Sequence, residues 1–378
     1  MQRYAELDWL RGLMLVLMTV THLPTWFSAA LGQPFGFVSA AEGFVFLSAF
    51  LVASVYGRMA RERGFAAMRS ALWRRTGKIY LAHAGILLVL LWVLVPIAVA
   101  RGAHPVTDLA SFYLAHPYEA LIGGLLLAYN PPLLDILPMY VLFMAMSPLL
   151  LQFAERRGWT AIVNASVVLW LVAQFGGAAV LHGALVRLFD LGVPYRQTGA
   201  FSFLAWQLIW VAGLWAGTRG TSLQPWLRAP RAVAAAAAVA IAFLVWRHVT
   251  GQVPNGPPGL VDAVDKWHLG ALRLIDFAAL ATLVVYARRT LAQWAERSLL
   301  ATLGKASLTV FCAHLLICLV ALLLVAEPSP AQLRWTDSAL LAGTLAVLYA
   351  LAWTYQAGRR LGHPRSAVMA KPLARTAR

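Results

Sequence analysis

Residues 79–100, IYLAHAGILLVLLWVLVPIAVA, form a run of 22 positions without one Asp, Glu, Lys or Arg. A helix needs about 20 apolar residues to cross the hydrocarbon of a bilayer. Runs of the same kind recur along the chain. Backbone groups in hydrocarbon must be satisfied internally, which leaves helices or a closed barrel. Barrel strands alternate in hydrophobicity and these runs do not, so they read as helices. The 378-residue chain is 61% hydrophobic and 12% charged, against about 25% charged in a soluble domain. Too little polar sequence exists to cover a water-facing surface. The expected fold is all-α and integral to a membrane.

Spans are expected at 9–28, 38–57, 79–100, 133–153, 160–181, 202–217, 231–249, 270–287, 303–325 and 337–357. This is a bundle of about ten transmembrane helices, with residues 1–358 as a single transmembrane domain. Residues 359–378 read as a basic, disordered cytoplasmic tail. The stretch 109–129 is broken by His116, Pro117 and Glu119 and reads as interfacial or re-entrant. Glu6 and Asp8 precede the first run where a signal peptide would be positive, so that run reads as a retained span. Ten spans place both termini on one side. Arg101, Arg187, Arg196, Arg247, Lys266, Arg273 and Arg334 fall on the other, and the remaining 24 of the 31 Lys and Arg share the side of the termini. The positive-inside rule makes that side cytoplasmic. The net charge of +16 is therefore ascribed to membrane topology and anionic lipid headgroups. No basic stripe interleaved with aromatics points to nucleic acid.

Cys312 and Cys318 lie six apart in one apolar run and read as small core residues, with no disulfide or metal site. No motif for ATP hydrolysis, zinc, flavin or nicotinamide is present. No permanently bound cofactor is expected.

Ionisable residues within membrane helices usually carry function. Asp8 and Arg11 are three apart and can pair on one helix face. His22 lies eleven residues beyond Arg11, close to three turns, on the same face and about 16 Å along the axis. Pro24 ends or kinks the helix there. His22 reads either as a helix–helix hydrogen-bonding residue or as a general base. Glu42, at the outer end of the second span, is expected at similar depth. It could orient His22, or close a capping box with Ser39; the two roles are compatible. Arg273 and Asp276 read as an ion pair that fixes packing, with a substrate carboxylate as competitor for Arg273. Lys266, His268 and Asp135 are expected at the same mouth. His314 reads as a buried, satisfied histidine. The cation-dense loop from Arg58 to Lys78 is either plain positive-inside bias or a dock for a polyanion such as coenzyme A phosphates, with Arg74, Arg75 and Lys78 nearest the third span.

Glu6-Leu7-Asp8-Trp9-Leu10-Arg11-Gly12 with His22 resembles the Arg-x10-His signature of the acyltransferase family three superfamily. Gly36-Phe37-Val38-Ser39-Ala40-Ala41-Glu42-Gly43-Phe44-Val45-Phe46-Leu47-Ser48, with Val55-Tyr56-Gly57-Arg58, resembles the OpgC proteins more narrowly. So do Leu137-Pro138-Met139-Tyr140, Leu204-Ala205-Trp206-Gln207, Gly270-Ala271-Leu272-Arg273-Leu274 and Leu303-Gly304-Lys305-Ala306-Ser307. The resemblance implies a bacterial inner-membrane O-acyltransferase. Its co-substrate would be a cytoplasmic acyl-coenzyme A, succinyl-coenzyme A in OpgC itself, and its acceptor an osmoregulated periplasmic glucan. His22 matches the superfamily's essential histidine and Arg11 its partner. Arg75-Thr76-Gly77-Lys78 stands where many members show Arg-x-x-Arg. Lys78 keeps the charge there but loses the bidentate fork. Ala49 and Ala271 replace an expected Gly and Pro. On this reading Arg11, Arg74, Arg75 and Lys78 hold the donor, His22 and Glu42 do the chemistry, and Arg273, Lys266 and Asp135 meet the substrate. Rival readings are a transporter or flippase, and acyl transfer to another surface polysaccharide.

Overall fold

The computed structural model describes residues 5–189, 192–220, 224–254, 256–295, 298–325 and 333–361. The part of the expected tail from residue 362 onward lies outside the described residues. Helix is the only regular secondary structure among them. In chain order the helices are α1 (Ala5–His22), α2 (Trp26–Leu31), α3 (Ala40–Val89), α4 (Val95–Arg101), α5 (His104–Leu109), α6 (Ser111–Ala115), α7 (Pro117–Leu125), α8 (Ile136–Arg157) and α9 (Thr160–Gln174). There follow α10 (Gly177–Phe189), α11 (Phe203–Arg219), α12 (Gln224–Leu227), α13 (Pro230–Thr250), α14 (Pro258–Ala263), α15 (Ala271–Ala295), α16 (Leu299–Lys305), α17 (Ser307–Leu324) and α18 (Trp335–Leu361).

Five of these are long and apolar enough to cross a membrane: the continuous stretch Ala40–Arg101, α8, α13, α17 and Trp335–Arg359 of α18. The first has 62 residues, which as a straight rod would run about 93 Å, some three times the hydrocarbon thickness. It is not straight. Gly64 breaks the helix at φ 83°, ψ 163°, backbone that a side chain would strain. The expected second and third spans lie on either side of this break. Further on, Pro96 cannot donate to the Trp92 carbonyl, and the ladder widens into a π-helical turn at Leu90–Leu94 just before it.

The other expected spans depart from straight apolar rods for local reasons. The stretch 160–181 is bent by 88° between α9 and α10, where Gly176 takes φ 77°. The pair counts as at most one broken span. The first span stops at His22 rather than residue 28, because Leu23–Thr25 interrupt the ladder ahead of α2. The ninth is divided at Ala306 into α16 and α17. Residues 104–125 form three short helices with Pro near the start of α5 and of α7, in keeping with a segment that does not span. Helices α1 and α15 are less apolar because they carry Glu6, Asp8, Arg11, Arg273 and Asp276, and Glu6, Asp8, Arg273 and Asp276 are buried in the bundle.

Close helix crossings set the position of α1. A methyl group on Gly12 would overlap the Leu300 carbonyl, and one on Gly304 the Asp8 carbonyl. Small residues let α1 and α16 touch backbone to backbone. Gly213 and Gly217, four apart on α11, meet the carbonyls of Phe46 and Phe50 on α3 in the same way. Trp206, Trp210, Phe143, Leu15, Met68 and Leu87 fill the centre.

Candidate active site

Helix α17 carries Ser307, Phe311 and His314 at i, i+4 and i+7, one face of a helix. That face lies along α1. Arg11 Nη2 donates to Ser307 Oγ, and His22 Nδ1 lies 3.2 Å from His314 Nε2. Both contacts advance in the same chain direction, so α1 and α17 run parallel. The two imidazoles stack, with centroids 5.5 Å apart and planes 15° apart. His314 is fully buried and His22 only half-buried. Nε2 of His22 makes no hydrogen bond among the described residues.

A narrow cleft sits at the Arg11 end of α1. Arg11, Arg75, Tyr140 and Ser307 supply its polar lining. Arg75 lies against Tyr140 and near Tyr56. Phe44 and Phe311 bound the cleft and stack on each other at 5.8 Å. The Arg11 guanidinium lies 5.9 Å from the centre of the Phe44 ring. Phe311 also packs edge-on against His314 at 4.9 Å. Thus a stacked aromatic pair separates the cation-lined cleft from the two histidines. Of the four cations expected to hold a donor, Arg11 and Arg75 converge on the cleft. Arg74 is exposed and bonds Ser70 Oγ at 2.9 Å; Lys78 is exposed as well.

At the His22 end the arrangement differs from expectation. Ser39 and Glu42 do form a capping box at the start of α3. Ser39 N donates to Glu42 Oε2 at 3.0 Å, and Ser39 Oγ donates to the same oxygen. The other oxygen, Oε1, is paired with Arg273 Nε. Both oxygens are therefore engaged away from His22, and Glu42 does not orient the imidazole. The ion pair expected between Arg273 and Asp276 is likewise replaced. Arg273 spans Glu42 and the Val264 carbonyl at 3.0 Å, while Asp276 accepts from Phe37 N at 2.8 Å. The physical reason is position: Glu42 and Arg273 both lie one turn into helices that enter the bundle from the same end. Among the described residues, Arg273 Nη2 is buried without a hydrogen-bond partner.

Lys266 lies in the loop ahead of α15, within electrostatic reach of His22, Glu42, Arg273 and Asp135. Its ammonium sits 4.7 Å from the Trp267 ring centre and 5.4 Å from that of Phe201. Burial is the largest influence on it and holds its pKa below the ordinary lysine value. Asp135 is buried and accepts from Ala200 N at 3.1 Å. Lys266 thus reaches His22, and Asp135 and Arg273 lie within electrostatic reach of Lys266, with Arg273 neutralised by Glu42. His268 turns aside to Asp265 at 2.8 Å. Among the described residues no group of His, Cys, Asp and Glu could hold a metal ion.

A protein-family model described as OpgC protein matches residues 3–360. The chain belongs to the OpgC family. No curated protein and no solved structure matches it. Family membership carries an acyltransferase-like role in glucan modification and agrees with the apolar helices of a bacterial membrane protein. The sequence pointed to His22, Arg11 and Arg75. It did not reveal that His314 faces His22, nor that Phe44, Tyr140, Ser307 and Phe311 line or close the cleft. Phe44, Tyr140 and Ser307 do lie in the stretches that resemble the OpgC proteins, but nothing local says that they converge.

Proposed function

We propose that the chain is an inner-membrane O-acyltransferase with about ten spans and cytoplasmic termini, moving an acyl group from acyl-coenzyme A to hydroxyls of a periplasmic glucan. The observation that carries this reading is the placement of His22. Its ring lies between a cation-lined cleft on one side and a cluster of charged groups on the other. On this reading the donor enters from the cytoplasm. Arg74 and Lys78 meet its phosphates at the surface, and Arg75 and Arg11 guide it into the cleft. The thioester carbonyl then reaches His22 past Phe44 and Phe311. A glucan hydroxyl arrives from the opposite face. His22 Nε2 takes its proton as the oxygen attacks the carbonyl carbon. The tetrahedral adduct collapses with cleavage of the carbon–sulfur bond, and the imidazolium returns the proton to the thiolate. The products are a glucan ester and free coenzyme A thiol. Where the acyl group is a dicarboxylate such as succinyl, Lys266 is the cation placed to meet its distal carboxylate. Arg273 is less suited, because Glu42 already neutralises it; Asp135 borders the same space.

The test is to replace His22 with Ala at normal membrane abundance and measure ester content of extracted periplasmic glucans by mass spectrometry. The expected outcome is loss of the acyl groups. Unchanged acylation would remove His22 from the chemistry and end this reading.

A further inference from the structure

We infer that His314 is a positioning residue that fixes the tautomer of His22, so that the nitrogen facing substrate is the basic one. The inference rests on the reading of His22 as general base. A neutral imidazole carries one proton, and which nitrogen holds it is set by the partner of the other. The carbonyls of Val310 and Phe311, on its own helix, lie by the His314 ring, and with Nε2 turned to His22 they fall to the Nδ1 side. Both neighbours are acceptors, so the His314 proton belongs on Nδ1, although that buried nitrogen makes no full hydrogen bond among the described residues. Nε2 of His314 is then an acceptor, aimed at His22 Nδ1 across 3.2 Å. His22 must donate there, so its proton sits on Nδ1. Its Nε2 is left with a lone pair and no hydrogen bond among the described residues.

The fully buried His314 has no other hydrogen-bond partner for Nε2 among the described residues. Its ring is held on one side by Phe311, edge-on at 4.9 Å. The charged groups near the pair are Lys266, which reaches His22, and beyond it Glu42, Asp135 and Arg273. Among the described residues none of these four bonds either ring. In this arrangement a histidine takes the place that a carboxylate fills in many acid–base pairs. A neutral acceptor orients the base without adding a charge to a dry site.

Gln and Asn separate the tautomer role from simple packing. The Gln oxygen reaches the place of a histidine Nε2, whereas the shorter Asn falls short of it. The full-length protein is prepared in lipid with ¹⁵N-histidine, and the His22 signals are identified by their loss in His22→Gln. At neutral pH the wild type is expected to show a protonated Nδ1 and an unprotonated Nε2 on His22. His314→Gln should retain that pattern, while His314→Asn and His314→Ala should give a mixture of tautomers. In transfer assays with succinyl-coenzyme A and extracted glucan, kcat should fall about 10²-fold in the Asn and Ala variants. The Gln variant should lie roughly tenfold above them, the worth of one hydrogen bond. An unprotonated Nδ1 in the wild type overturns the inference, and so does a tautomer that ignores residue 314. If His22→Ala transfers normally while the tautomer still follows residue 314, the base reading fails and the positioning of His22 by His314 stands.

Discussion

The two ends of α1 solve opposite electrostatic problems. At the Arg11 end, two guanidinium groups face a cleft beside tyrosine and serine hydroxyls, with only neutral donors and acceptors lining it. At the His22 end the guanidinium of Arg273 is locked to Glu42, and the central pair is two imidazoles. Arg11 bonds the neutral Ser307, with Asp8 only within electrostatic reach; a cation so placed is suited to an incoming anion, whereas one locked in an ion pair is part of the scaffold. The comparison assigns ligand capture to one end and proton transfer to the other, with Phe44 and Phe311 between them.

The sharpest way to break this division is His22→Ala, expected to lower transfer by 10² to about 10⁴-fold without loss of folded protein. Next in size is Glu42→Gln or Arg273→Met alone. Each strands a buried charge or its partner and should destabilise the fold by about 3–5 kcal/mol, read as a lowered unfolding temperature in detergent. The double replacement should recover much of that stability. If both singles are thermally neutral and abolish transfer, the pair belongs to the chemistry and the comparison is wrong. Third, Arg75→Ala should raise KM for acyl-coenzyme A about tenfold, the scale of one charge-assisted contact. Arg74→Ala, which loses only an exposed bond to Ser70, should do much less. Equal effects would move donor capture from the cleft to the whole cytoplasmic surface.

The smallest effect concerns pH, in the loop beside Lys266. The hydrogen bond to Asp265 raises the pKa of His268 above its ordinary value. Burial alone would raise Asp265, but the hydrogen bonds from His268 outweigh it and bring the pKa below the usual carboxylate range. The His268 contribution to stability is therefore full below the ordinary histidine pKa and fades as pH rises through the raised value. The Asp265 contribution is present above the ordinary carboxylate pKa and is lost as pH falls through the lowered one. Asp265→Asn should return the His268 pKa toward about 6.5 by NMR titration while leaving transfer intact. An unmoved titration would show that another group holds His268.

Helix is what the sequence made plain, because hydrophobicity alone dictates it in hydrocarbon. The capping box was legible for the same local reason, since Ser39 and Glu42 are three residues apart. Partner choice was not legible. Arg273 sits three residues from Asp276 and 231 from Glu42, yet pairs with the distant carboxylate, because helix packing rather than chain proximity decides which charges meet. His22 and His314 are 292 residues apart, and no local pattern links them. The 88° bend between α9 and α10 was hidden as well, since hydropathy reports apolarity and not direction.

The contact of Gly12 with Leu300 and of Gly304 with Asp8 leaves no slack between α1 and its neighbour. Sliding α1 by even one residue would drive a side chain into a carbonyl. A piston-like stroke of this helix is thereby barred, and the imidazole at its end is a stationary anvil to which both reactants must travel.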